Sequence, residues 1–273
     1  MLSFKSVVCA LGLGVLADAQ VPVSLGSASA YAVFASSAIT NTGETTIGAK
    51  IGISKGTSIT GFPPGVYTGE DINNDASTVA AADLLAAYNA IAALPITTDL
   101  TGSDLGGLTL GPGIYGFTSS AGLTGVLTLD GQNSTDGDAT FIFKFGSTLT
   151  TASAAVILLT NGANACNVYW QVGSSATLGV ETVFNGNVLA QASITATTGS
   201  SLVGGGFYAL DGAVTLDSNT IDTIGSCGAS IAPNATWSTS SLSISTSPIS
   251  ASLNFLPTTT TSTVADLPMV LRN

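Results

Sequence analysis

VLAQASITATTGSSLVGG, residues 188–205, reads as three short β pieces divided by small residues. VLAQ is apolar on both sides. SITAT alternates, and SLVGG is brief and glycine-rich. The same three-part pattern recurs in FIFKFGSTLTT from Phe141, VYWQVGSSATL from Val168 and FYALDGAVTLD from Phe207. The starts of these four segments lie 27, 20 and 19 residues apart. A third piece follows each: AVILLTNG, TVFNG, SLVGG and NTID. Three short strands in about 20 residues is the period of a β-solenoid coil, which bonds to the coils above and below at about 4.8 Å.

The three strands of a coil differ in character. The first needs cover on its outer side, because neither side is polar. The second has alternating core and small polar residues, since side chains point to opposite faces with period two. Its outward row reads Thr148 and Thr150; Ser175 and Thr177; Ser193, Thr195 and Thr197; Ala213 and Thr215, with Asp217 as the one charge. Thr and Ser suit any exposed β surface, but ordinary exposed strands also carry Lys, Glu and Arg. A flat face of methyls and hydroxyls cannot grip a charged ligand. It can hold water in an ordered layer with the spacing of the ladder.

Outside these repeats, one segment is helical. STVAAADLLAAYNAIAAL, residues 77–94, is rich in Ala and Leu, with Ser77 or Thr78 as the expected cap, Asp83 in its early turns and Pro95 as its stop. Leu84, Tyr88 and Ile91 form one stripe, with Leu85 beside it. The opposite side is mostly alanine, so the helix is expected to pack over much of its surface. It is the one element available to cover the first strands. Between Tyr31 and Gly61, β-like pieces alternate with Gly/Thr turns, and FPPGVYTG is a turn region. After Cys227 a Ser/Thr-rich tail replaces the repeat. The expected organisation is thus a signal at 1–19, a solenoid at 20–225 and a tail at 226–273.

Charged residues make up 8% of the 273-residue chain, and the net charge is −11. A typical domain is about a quarter charged. The acidic balance argues against nucleic acid or an anionic membrane as partner. MLSFKSVVCALGLGVLADA has the basic start, apolar run and A-x-A site of a secretory signal, too short to span a bilayer. Its removal takes Lys5 and Asp18 together and leaves the net charge unchanged. The mature protein is expected to be extracellular and monomeric. Cys9 leaves with the signal, and Cys166 and Cys227 remain as an even pair for a disulfide in an oxidising compartment; two buried free thiols are the alternative. Asn133 and Asn234 begin N-glycosylation sequons.

Catalytic chemistry finds little support. The chain has no histidine, which removes the commonest general base and zinc ligand. Lys50, Lys55, Lys144 and Arg272 are too few for a phosphate cradle. Asp71 and Asp75 in EDINND, and Asp130, Asp136 and Asp138 in DGQNSTDGD, are the carboxylates available for acid–base work or for calcium. Asp-Gly and Asn-Gly pairs also read as plain turn residues. Lys144 reads as a surface or snorkelling lysine, and Trp170 as packed core. No cofactor, metal site or catalytic residue is expected. The rivals are a polysaccharide-active β-helix, which lacks its Asp–Lys/Arg cluster here, and a surface adhesin or cell-wall protein, which the tail favours.

YAVFASSAITNTG, ADLLAAYNAIAA, LGPGIYGFTSSAGLTGVLTLDG, TFIFKFGSTLTT, NVYWQVGSSATLG, FNGNVLAQASIT and GAVTLDSNTI together closely resemble the secreted microbial and fungal ice-binding proteins of the DUF3494 type. The resemblance runs from about Val23 to Asp222. It implies a right-handed, discontinuous parallel β-helix of triangular section with a long helix alongside, and an N-terminal coil packed beside the C-terminal one. It implies adsorption to ice, with thermal hysteresis and inhibition of recrystallisation. Some members carry a site pattern of Thr, Ala or Gly, any residue, then Thr or Asn. Ser37-Ala38-Ile39-Thr40, Ala192-Ser193-Ile194-Thr195 and Gly212-Ala213-Val214-Thr215 match it in part, with the second and fourth residues outward. The resemblance adds Ser37, Ala38, Thr40 and Thr42 to the expected face.

Overall fold

The computed structural model describes residues 23–134 and 138–222. The signal, Asp136, Cys227, Asn234 and the tail lie outside them. Among the described residues, twenty-three short strands form three all-parallel sheets around one apolar interior, with one long helix outside.

The first sheet has nine strands, and the second and third have seven each. A complete coil contributes one strand to every sheet, as with Val168–Val172, Ala176–Leu178 and Val183–Asn185, while the coils toward the edges are incomplete. Parallel registration stacks equivalent residues. Tyr115, Phe143 and Trp170 lie in one row, and their rings stack at 5.2 and 4.2 Å. Trp170 is fully buried, and its Nε1 donates to the Asn185 carbonyl at 2.9 Å.

The winding is discontinuous. Tyr31–Ala35 pairs with Phe207–Ala209, Ala38–Thr42 with Val214–Asp217, and Thr46–Ile47 with Thr220–Asp222. The first coil therefore seals the last one. The next N-terminal strands, Lys50–Ile53 and Gly69–Ile72, extend the first sheet to one edge, and Thr98–Asp99 forms its opposite edge. The chain must cross between them. Nine strands put the edges about 38 Å apart. A 19-residue helix covers about 28 Å of that, and residues 94–97 reach the remainder.

That helix, α1, is Asp75–Ala93. Its start corrects the expected cap. Asn74 is the N-cap: its Oδ1 accepts from the Ser77 N–H at 2.9 Å, while Ser77 Oγ accepts from the Asn74 N–H at 3.0 Å. Ser77 thus closes the capping box from inside the helix. Ala80, Leu84, Ala87 and Ile91 pack on the outer side of the first sheet, against Tyr31, Phe34, Ile142, Tyr169, Leu189 and Tyr208. This is the cover that the doubly apolar first strands require. Packing is confined to this side: Val79 and Leu85 are 54% and 49% exposed, against the expectation of broad burial. Alanine is what permits this, because it favours helix without needing cover.

Lys144 ends the helix chemically. It projects from the first sheet, and its Nζ donates to the Ala92 and Leu94 carbonyls at 2.9 and 2.6 Å. A cation there meets the unpaired carbonyls of the last turn. Partial burial holds its pKa below the usual lysine range. Asp83 likewise has a partner: it accepts from the Ser27 N–H and Oγ at 2.8 and 2.7 Å, tying the helix to the lead-in turn Gly26–Ala30.

Candidate functional site

The residues expected on the outward face come together on the second sheet. In spatial order its strands are Ala121–Leu123, Leu149–Thr151, Ala176–Leu178, Ile194–Ala196, Val214–Asp217, Ala38–Thr42 and Ser58–Thr60. Inward residues anchor it: Ile39, Leu149, Leu178, Ile194, Val214 and Leu216 are fully buried. Pairing then brings the outward residues into rows. Thr150, Thr177, Thr195, Thr215, Thr40 and Thr60 stand side by side on six successive strands, and Gly122 continues the row at one end. At about 4.8 Å per strand, the seven positions span about 29 Å.

Two flanking rows broaden the face. Thr148, Ser175, Ser193, Ala213, Ala38 and Ser58 lie along one side of the threonine row. On its other side lie Thr197, Asp217 and Thr42. Ser37 sits at the corner before its strand, where its N–H reaches the Gly212 carbonyl at 3.1 Å. In each four-residue segment the third residue, Ile39, Ile194 or Val214, is buried, and the second and fourth face outward.

The hydroxyls fall into two groups. Those of Thr42, Thr60, Thr150, Thr177 and Thr195 make no hydrogen bond to the described residues, so their donors and acceptors remain for water. The others are partly used. Thr148 Oγ1 donates to Ser120 Oγ at 2.8 Å, Thr40 Oγ1 to Thr215 Oγ1 at 3.3 Å, and Thr197 Oγ1 to the Leu178 carbonyl at 2.7 Å. Ser175 and Ser193 each accept an N–H from the next strand at 3.3 Å. These bonds between neighbouring coils restrict the side chains that make them.

Reading the sequence left out part of this face. Ser58 and Thr60 complete it at one edge, although Ser58-Ile59-Thr60 repeats Ser193-Ile194-Thr195 letter for letter. At the other edge lies Asp104, a second carboxylate besides Asp217. A Cβ built on Gly122 would meet its Oδ2 at 2.9 Å. Burial pushes the Asp104 carboxyl up, but N–H bonds from Thr124 and Gly106, and the Thr124 hydroxyl, outweigh it and hold the pKa below the usual range.

Two of the other candidate carboxylates, Asp71 and Asp130, are held by neighbouring side chains and backbone. Asp71 accepts from Asn74, Tyr31 and Lys50 near the start of α1. Asp130 accepts from the Gln132 N–H and Asn161 at a turn, which is the turn role that Asp-Gly composition indicates. Among the described residues, no group of three or more His, Cys, Asp or Glu could hold a metal ion. Cys166 is disulfide-bonded, and its partner lies outside the described residues. Asn133 lies on an exposed turn with φ of 61°.

By fold the protein is of the parallel β-helix class, with a nearly uncharged row of registered threonines along its second sheet. The comparisons narrow that class. The profile of the ice-binding-like family matches residues 33–222, and this chain belongs to that family. An ice-binding protein of Nostoc sp. (strain HG1) is 52% identical over 200 residues, covering 72% of each chain. The crystal structure of an ice-binding protein from the Antarctic ascomycete Antarctomyces psychrotrophicus superposes with a TM-score of 0.70 at 47% identity, covering 74% of this chain and 98% of that one. An ice-binding protein from an Antarctic biological consortium gives 0.71 at 42% identity, over 81% and 95%.

Proposed function

We propose that this protein adsorbs to ice through the outer face of its second sheet. The observation that carries the reading is the registered row Thr40, Thr60, Thr150, Thr177, Thr195 and Thr215, because it repeats one water-binding unit at a fixed spacing on a buried, rigid base. Methyl groups and free hydroxyls together organise a water layer that joins the ice lattice. Each contact is weak. Rigidity makes their sum effective, because little conformational entropy is lost on binding. Adsorbed molecules pin the advancing front between them, so growth stops over a temperature interval and recrystallisation slows. The protein acts outside the cell, as a monomer, without cofactor or covalent chemistry. Low surface charge supports this reading, since a charged group keeps a hydration shell foreign to ice.

The test is a single ice crystal held in a solution of the purified protein in a nanolitre osmometer. A gap between freezing and melting points, with faceted growth, is the expected result. No gap, no faceting and no inhibition of recrystallisation would overturn the assignment.

A further inference from the structure

We infer that Asp217 limits the ice affinity of the face and that removing its charge increases activity. This rests on the assignment of the second sheet as the ice-binding face. Asp217 points outward between Thr197 and Thr42: Leu216 beside it is fully buried, and Asp217 is registered with Thr42 across the seam between the last and first coils. It therefore interrupts a row that would otherwise carry three threonines on neighbouring strands. Every other outward residue on these three strands is uncharged.

The surroundings explain how the charge is tolerated. Thr198 Oγ1 donates to Asp217 Oδ2, and Ser218 Oγ donates to Oδ1 at 3.2 Å. The donors sit in two successive turns, one after Ile194–Ala196 and one after Val214–Asp217, so they draw the carboxylate toward the corner between the second and third sheets. The backbone needs no help from this carboxylate. The Asp217 N–H donates to Asn219 Oδ1 at 2.7 Å. Asn219 is buried, and its Nδ2 donates to the Thr197 and Ser200 carbonyls at 2.9 and 3.1 Å. The corner is thus held by Asn219, and the Asp217 side chain can change without loss of the turn. What the carboxylate adds to the face is a strongly held shell of liquid-like water. Surrendering that shell at an ice front is costly for an anion.

Asp217→Asn keeps the shape and can still accept from Thr198, but removes the charge. Asp217→Thr also completes the row. The experiment measures the freezing–melting gap of both variants at equal molar concentration, with Glu70→Gln on the first sheet as a control for net charge and thermal unfolding as a control for folding. The expected result is a wider gap for Asp217→Asn, wider again for Asp217→Thr, and an unchanged gap for Glu70→Gln. An equal or narrower gap in both Asp217 variants, with unfolding midpoints unchanged, overturns the inference. If one variant fails to fold, the other decides. Thr195→Tyr, measured alongside, separates the two levels of the argument. If it abolishes the gap while the Asp217 variants change nothing, the face is correct and the role of Asp217 is wrong. If Thr195→Tyr also changes nothing, the face itself is wrong.

Discussion

Residues act here through position more than through chemistry. Threonine is common in exposed strands, and none of the six in the central row is unusual by itself. Registration makes them a surface. The sequence displays most of this row, because Thr150, Thr177, Thr195 and Thr215 occupy matching places in aligned repeats. It hides Thr60, whose coil is irregular and glycine-rich, although the shared Ser-Ile-Thr triplet was available as a signal. Lys144 shows the opposite case. Its place within FIFKF was readable, but its partners were not, because the helix carbonyls it meets lie 50 and 52 residues away. Lys144→Met should lower stability by about 1 kcal/mol, since the C-terminal carbonyls of α1 lose their cation. Chemical denaturation would measure it, and an unchanged midpoint would show that water replaces the lysine without cost.

At the scale of elements, α1 is the cover that the doubly apolar first sheet needs. Leu84→Ala should destabilise by roughly 2–5 kcal/mol, because Leu84 is buried between helix and sheet. Asn74→Ala should cost about 1 kcal/mol through the lost capping box. Both are read from urea unfolding, and both should leave ice activity intact in the folded protein. A Leu84→Ala change within a few tenths would mean the helix is not docked through that residue. Helix propensity located this element to within two residues at its start. The cap itself was missed because NND reads equally well as a loop, and only the turn after Gly69–Ile72 brings Asn74 into capping position. One-sided packing was also not legible: an alanine-rich surface looks the same whether it is covered or bare.

The whole molecule depends on a seam that no repeat analysis reveals. Internal similarity shows what each coil looks like but not the order in which coils stack, and here the first coil closes against the last. Resemblance to a known family supplied that expectation. The seam matters because the threonine row crosses it, from Thr215 to Thr40. Electrostatics sets the range of conditions over which the assembly holds. Hydrogen bonds from Asn74 to Asp71, from Ser27 to Asp83 and from Asn161 to Asp130 hold these carboxyls below their usual range. A depressed folded pKa gives stability that is present above the unfolded value, about 3.9, and is lost as pH falls through the folded one. Burial, with the bond to Asp71, pushes the Tyr31 phenol up to about 12, so its contribution is complete below about pH 10 and disappears as pH rises toward the folded value. With no histidine in the chain, stability should stay level from about pH 5 to 9, falling on either side. Thermal unfolding across pH checks this, and a transition near pH 6.5 would contradict it.

The central claim is that one face of three meets ice. It is tested most directly by comparing Thr195→Tyr on the second sheet with Thr220→Tyr on the third, each against the unmodified protein, in the same nanolitre osmometer. Both positions lie on solvent-facing sides of parallel sheets. The account predicts that a ring at position 195 breaks the flat row and removes most of the freezing–melting gap with the fold intact, while a ring at position 220 leaves the gap unchanged. A gap preserved in Thr195→Tyr and lost in Thr220→Tyr would place the ice-binding surface on the third sheet instead.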